Sequence, residues 1–245
     1  MPSSYKTYAI TGASRGLGLE FVKQLAAKGN TIIAIARNPT ESSGLSQLVD
    51  NKNVFAVKMD ISNEESIKAA ADSIAKIVPD GIDVLINNAG ISGDFKFNSL
   101  TTSRKEYIKL FETNTIGASD VTQALLPLLR QRGQEKTKKI INISSTLGSL
   151  ALTSTLRFPG RSGPAYCASK SALNMITKIF ADELEEENFV VNSMCPGWVQ
   201  TDMGGKEAPV ILENSISGML NTIENVATKE NNGLFLNFEG KIVAF

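Results

Sequence analysis

The stretch Tyr8-Ala9-Ile10-Thr11-Gly12-Ala13-Ser14-Arg15-Gly16-Leu17-Gly18-Leu19-Glu20-Phe21-Val22-Lys23-Gln24-Leu25 decides the fold. A short apolar run enters a glycine-rich turn, and a helical pattern leaves it. Glycines permit a tight turn and close backbone approach, while the free N–H groups and positive dipole end of the helix favour an anion. The stretch therefore reads as strand, pyrophosphate-binding turn and helix. A glycine-rich turn alone is weak evidence; a strand before it, a helix after it and further units of the same kind make it specific.

Those further units are present. Thr31–Ala36 leads through a polar loop to a helical pattern over Leu45–Asp50, and Val54–Met59 leads to Glu64–Val78. Val84–Ile86 leads to Arg104–Arg132, Lys139–Ser144 to Ala165–Glu187, and Val190–Met194 to Val210–Val226, before a last run at Leu234–Phe238. The apolar runs are continuous rather than alternating, as in strands buried on both faces. Strands alternating with helices imply right-handed βαβ crossovers and a parallel sheet covered on both sides. The pattern predicts an α/β fold with one doubly wound, Rossmann-type sheet of seven parallel strands, in one domain spanning residues 1–245.

Composition narrows the chemistry. Lys plus Arg is 25 and Asp plus Glu is 25, and a zero net charge argues against nucleic acid or an anionic membrane as partner. Histidine is absent, which excludes Ser-His-Asp triads, Cys-His dyads and HExxH zinc sites and leaves acid–base work to Tyr, Lys, Cys or carboxylates. Cys167 and Cys195 are too few for a disulfide framework or a four-ligand zinc site, so no metal is expected. Residues 1–7 do not read as a signal peptide and no run of ~18 apolar residues occurs, so the expected location is cytoplasmic.

The glycines stand at 12, 16 and 18, and Thr-Gly-x-x-x-Gly-x-Gly resembles the short-chain dehydrogenase/reductase family. The resemblance covers the whole chain with six motifs in order. It implies that Gly12, Ser14, Arg15, Gly16, Leu17 and Gly18 hold a dinucleotide, with Asp60-Ile61 at its adenine. Asn87-Asn88-Ala89-Gly90 matches the family's Asn-Asn-Ala-Gly motif, in which Asn87, Ala89 and Gly90 steady the sheet and touch the adenosine ribose. Pro196, Gly197, Val199 and Thr201 match the segment that holds the nicotinamide. The second strand ends Ile35-Ala36-Arg37-Asn38 without a carboxylate for a free 2′-hydroxyl. Arg37 and Arg15 instead suit a 2′-phosphate, so the cofactor expected is NADP(H). On this reading the cofactor half covers about 1–140 and the catalytic and substrate half about 141–245.

Tyr166-Cys167-Ala168-Ser169-Lys170 opens a helical pattern, and positions i and i+4 share a face. Free tyrosine has a pKa near ~10, and a nearby ammonium would lower it toward working pH. The resemblance implies that Tyr166 is the general acid, that Lys170 lowers its pKa and binds the nicotinamide ribose, and that Asn114 relays protons through water to Lys170. A serine at the end of the fifth strand would hold the substrate oxygen; the family pattern points to Ser145, with Ser144 the alternative. The implied activity is NADPH-dependent reduction of ketones or aldehydes. An NADP-linked alcohol dehydrogenase working oxidatively and a non-catalytic NADP(H)-binding regulator are the alternatives. Ser145 and Tyr166 lie 21 residues apart, longer than the family's usual spacing, and the polar excess over 153–163 reads as an excursion beside the site, a lid or a tolerated insertion. This excursion, the short segment Asp202–Val210 and the closing Phe235-Leu236-Asn237-Phe238-Glu239-Gly240 resemble the sniffer-like and C-factor-like carbonyl reductases. Phe95, Phe97, Leu147, Phe158, Trp198 and Met203 follow strand C-termini and are candidates for the rim of a pocket for an uncharged, partly hydrophobic carbonyl compound. Family members often pair through the helices containing Asn114 and Tyr166, which makes a homodimer compatible with the resemblance.

Overall fold

The apolar runs become strands because both of their faces find apolar partners. In the computed structural model, which describes residues 5–155 and 163–245, the strands are β1 (Thr7–Thr11), β2 (Thr31–Ala36), β3 (Val54–Lys58), β4 (Val84–Asn87), β5 (Lys138–Ile143), β6 (Phe189–Cys195) and β7 (Phe235–Asn237). They form one seven-stranded sheet in the order β3-β2-β1-β4-β5-β6-β7, with every neighbouring pair parallel. The helices are α1 (Gly16–Ala27), α2 (Ser43–Ser46), α3 (Glu64–Ile77), α4 (Arg104–Phe111), α5 (Gly117–Arg130), α6 (Pro164–Glu183) and α7 (Leu212–Asn225).

Two apolar layers sandwich the sheet. On one face Ile10, Ile32 and Ile86 pack with Phe21 of α1, Leu45 of α2 and Met219 of α7. On the other face Ile33, Leu85 and Ile140 pack with Ile74 of α3, Leu125 of α5 and Ala181 of α6. The chain winds outward from β1 through β2 to β3, returns to β4 beside β1, and winds away again. The β1–β4 boundary is thus the switch point at whose C-terminal edge such sheets bind ligands. Among the described residues no helix is long and apolar enough to cross a membrane.

Two predicted helices differ from those observed. The pattern over Arg104–Arg132 is continuous helical backbone from Arg104 to Arg130, but a wide π turn at Glu112–Ile116 divides it into α4 and α5. Through it Asn114 and Thr115 both turn inward to α6, where Thr115 Oγ1 donates to the Ser169 carbonyl at 2.9 Å. The 3.6-residue periodicity does not register one extra residue accommodated within a polar turn. The pattern over Leu45–Asp50 shrinks to the single turn of α2, capped by Ser42 Oγ accepting from Leu45 N–H at 3.2 Å. Beyond α2, the Asp50 carboxylate accepts the N–H groups of Lys52, Asn53 and Val54. These bonds hold its carboxyl at about 2 and turn the chain into β3.

Candidate active site

The glycine turn is built by close approach of backbone to backbone. Gly12 has φ +68°. A Cβ on Gly18 would collide with the Gly12 carbonyl oxygen and lie 2.7 Å from Asn88 Nδ2. Asn88 closes the turn from the neighbouring strand: its Nδ2 donates to the carbonyls of Thr11 at 2.9 Å and Gly12 at 3.3 Å. Thr11 Oγ1 accepts the N–H groups of Asn88 and Ala89, both at 3.0 Å. Gly18→Ala should cost about 1–3 kcal/mol of stability, as overpacking against fixed backbone does. That is a lower thermal midpoint, at about 2–4 °C per kcal/mol for a chain of this size, checked by calorimetry.

The helix that follows is left open to a ligand. Arg15 precedes α1 in extended conformation, and no side chain caps the helix, whereas Asn63 caps α3 and Ser103 caps α4. Uncapped N–H groups beside a glycine turn suit an anionic diphosphate. Arg37 is exposed at the end of β2 and has no carboxylate within ion-pair distance among the described residues. Arg15 Nη1 lies 3.5 Å from Asp202 Oδ2, both side chains more than three-quarters exposed. Ser42, on the same loop as Arg37, donates from Oγ to the Ser14 carbonyl at 2.6 Å and ties that loop to the glycine turn. Asp60 accepts the hydroxyl of Ser62 at 2.7 Å, which with the Ser62 N–H holds its carboxyl below the usual range. Ile61 follows it, buried.

Asn87 is spent inside the molecule. Its Nδ2 donates to Asn142 Oδ1 and Thr122 Oγ1, both at 2.8 Å. Its Oδ1 is buried with no partner among the described residues. The side chain links β4 to β5 and α5, while Ala89 lies against Gly12 of the turn and Gly90 lies near Lys170. Asn88, which the sequence reading passed over, is the motif residue that shapes the glycine turn. Two adjacent asparagines at the end of one strand point to opposite sides, and that alternation was the available signal.

Asn114, Ser145, Tyr166 and Lys170 converge at the C-terminal edge of β4 and β5. Ser144 and Ser145 part company here: Ser144 donates to Asn174 Oδ1 at 2.7 Å inside the protein, whereas the Ser145 hydroxyl bonds the Tyr166 phenol. Of the two serines, Ser145 is the one beside Tyr166. Lys170 Nζ donates to the Ile143 carbonyl at 2.8 Å and stands 5.9 Å from the Tyr166 ring centroid. Phe95 meets that ring edge-on, with centroids 5.7 Å apart. Asn114 grips Ile91 by both backbone atoms, accepting its N–H at 2.8 Å and donating to its carbonyl at 2.9 Å, and also donates to Ser169 Oγ at 3.0 Å. Its side chain shapes the segment after β4.

One electrostatic expectation is reversed. Lys170 does not pull the Tyr166 phenol down in the chain alone; burial pushes it above its ordinary value, and the Ser145 hydrogen bond offsets only part of this. Burial also lowers Lys170 to about 8, against a smaller opposing effect of Cys195. At neutral pH the site thus holds an intact phenol next to an ammonium, a proton donor with a cation ready to stabilise the anion it leaves.

After β6, Pro196 and Gly197 turn the chain back across the cleft. Ser215 Oγ anchors the Pro196 carbonyl at 2.7 Å, Gly197 has φ +84°, and Val199 pairs with Val210. Thr201 Oγ1 accepts the Gly204 N–H at 3.1 Å, and the Thr201 side chain faces Gly16 across the opening. Trp198 Nε1 donates to the Gly204 carbonyl at 2.7 Å, leaving its ring and Met203 exposed at the rim. Phe95 and Leu147 pack with Tyr166, and Phe97 lines a narrow hollow beside it with Ser92, Asp94 and Glu106. Phe158 and most of the 153–163 excursion lie outside the described residues.

The model of the family described as short chain dehydrogenase matches residues 6–210. An uncharacterized oxidoreductase of Schizosaccharomyces pombe is 34% identical over the full length of both chains. The NADPH-bound carbonyl reductase from chicken fatty liver superposes with a TM-score of 0.90 at 34% identity, covering 98% of this chain and 99% of its own. The carbonyl reductase Sniffer of Drosophila melanogaster does so with a TM-score of 0.90 at 31% identity, covering 98% and 100%. With its seven parallel strands, glycine turn and Tyr-x-x-x-Lys helix, this chain belongs to the short-chain dehydrogenase family and is an oxidoreductase.

Proposed function

We propose that this oxidoreductase reduces ketones and aldehydes to alcohols with NADP(H) as its cofactor. The observation that carries the reading is the meeting of Ser145, Tyr166 and Lys170 at the sheet edge that also bears the uncapped start of α1 and two exposed arginines. Carbonyl reductases similar in fold, one of them NADPH-bound, support it. Arg37 and Arg15 would hold the 2′-phosphate, the glycine turn and α1 the diphosphate, and Val199 and Thr201 the nicotinamide end.

When bound, the reduced nicotinamide supplies a hydride. Ser145 orients the carbonyl oxygen of the substrate toward the phenol. Tyr166 donates its proton to that oxygen as negative charge develops there. Lys170, as ammonium, stabilises the tyrosinate that results, and burial strengthens this attraction by excluding water. Asn114, held in place by its two bonds to the Ile91 backbone, would pass protons through water to Lys170. Phe95 and Leu147 present apolar surface beside the reacting oxygen, in keeping with an uncharged, partly hydrophobic substrate.

The pH dependence follows from the lysine. Below about 8 Lys170 carries its charge; above that it loses the proton, and the tyrosinate loses its counter-ion. The expected profile of kcat/KM for carbonyl reduction is flat toward neutral pH and falls as pH rises through about 8. NADPH consumption with a panel of ketones, diketones and aldehydes across pH 6–10 tests the activity and the profile together. A rate that rose steadily through pH 8–10 would overturn the role given to Lys170.

A further inference from the structure

Ser145 sits on a loop, whereas Tyr166 and Lys170 sit on α6, and their mutual placement has to come from whatever docks that loop on that helix. Asn174 follows Tyr166 and Lys170 at successive i+4 positions and so continues their helix face. Its Oδ1 accepts from Ser144 Oγ at 2.7 Å, and its Nδ2 reaches the Gly148 carbonyl at 3.4 Å. Ser171 Oγ donates to that same carbonyl at 2.8 Å. Residues Thr146–Gly148 form a single 3-10 turn. Within it the Gly148 N–H bonds the Ser145 carbonyl at 2.8 Å, and the Leu147 N–H bonds Ser145 Oγ at 3.2 Å. A Cβ on Gly148 would lie 2.8 Å from the backbone of Lys170, so the turn rests directly on α6. Ser144 and Asn174 are both almost fully buried, where a hydrogen bond left unmade is costly.

We propose that Asn174 is a positioning residue that acts through Ser145. It grips the chain on both sides of Ser145, at Ser144 and at Gly148, and thereby sets the Ser145 hydroxyl against the Tyr166 phenol. Groups on loops hold a productive geometry only when supporting contacts lock them, and a displacement of about 1 Å at a reacting centre can cost roughly 10²-fold in rate. The catalytic consequence rests on the reductase reading above; the clamp itself does not.

Asn174→Leu keeps the number and branching of side-chain heavy atoms and removes both bonds. Its kcat for carbonyl reduction should fall by roughly 10- to 100-fold, with the Kd for NADPH, followed by protein fluorescence, unchanged. In a Ser145→Ala background the same substitution should cost less than about twofold, because residues that act as one unit are not additive. Equal losses in both backgrounds would overturn the proposal, since Asn174 would then be acting through Tyr166, Lys170 or the fold at large. Hydrogen exchange gives a readout that needs no turnover. The Leu147 and Gly148 amides should exchange at least about tenfold faster in Asn174→Leu, while the amides of α6 keep their protection. Unchanged exchange at those two amides sinks the clamp whatever the activity. Ser144→Ala, a milder change, should move the same two amides in the same direction and serves if Asn174→Leu fails to fold. Faster exchange in a protein whose wild type reduces no carbonyl compound would leave the clamp standing and reject the reductase reading.

Discussion

Tyr166→Phe is expected to lower kcat for carbonyl reduction by about 10²–10⁴-fold, the range associated with loss of a general acid. The substitution removes one buried hydroxyl and its bond to Ser145 and keeps the ring that packs edge-on against Phe95. NADPH should still bind, because the glycine turn, α1 and the arginines are untouched, and the thermal midpoint should move little. Steady-state kinetics, with NADPH binding measured in parallel, checks this. Carbonyl reduction left intact in Tyr166→Phe would remove the phenol from the mechanism. Tight NADPH binding by a wild type that turns over no carbonyl compound would point instead to a cofactor-binding regulator.

Arg37→Asp should abolish a preference for NADPH over NADH of roughly 10²-fold and turn it toward NADH. Each charge-assisted contact to a phosphate is worth about 1.5–3 kcal/mol when partly shielded, and exposure of both arginines brings the total toward the lower end. The two are not equal. Arg15 shares its charge with Asp202 at 3.5 Å, whereas Arg37 has no carboxylate within ion-pair distance among the described residues. The larger effect is therefore expected at Arg37, and Arg15→Ala should weaken the preference less. Arg37→Asp exceeds Arg37→Ala because it also repels the 2′-phosphate and offers an acceptor to the free 2′-hydroxyl of NAD. Comparing kcat/KM for both cofactors at low and moderate salt tests this, with the wild-type preference weakening as salt rises. Equal use of NADH and NADPH by the wild type would return both arginines to solvated surface charges.

By itself the sequence determined the architecture, because continuous apolar runs alternating with amphipathic ones leave a doubly wound parallel sheet as the way to bury them. The spacing of Gly12, Gly16 and Gly18 placed a tight turn at the start of α1, and the i, i+4 spacing of Tyr166 and Lys170 put both on one helix face. What the sequence left open were relations between segments far apart in the chain. Ser144 and Ser145 are identical residues, and only the tertiary structure shows one bonded inward to Asn174 and the other to Tyr166. Asn87 and Asn88 are likewise indistinguishable as letters, yet one ties β4 to β5 and the other holds the glycine turn. The π turn at Asn114 escaped a periodicity that sees only which residues are apolar. The proton affinities of Tyr166 and Lys170 were also beyond it, since burial, which sets the direction of both shifts, exists only once the sheet and helices have closed around them.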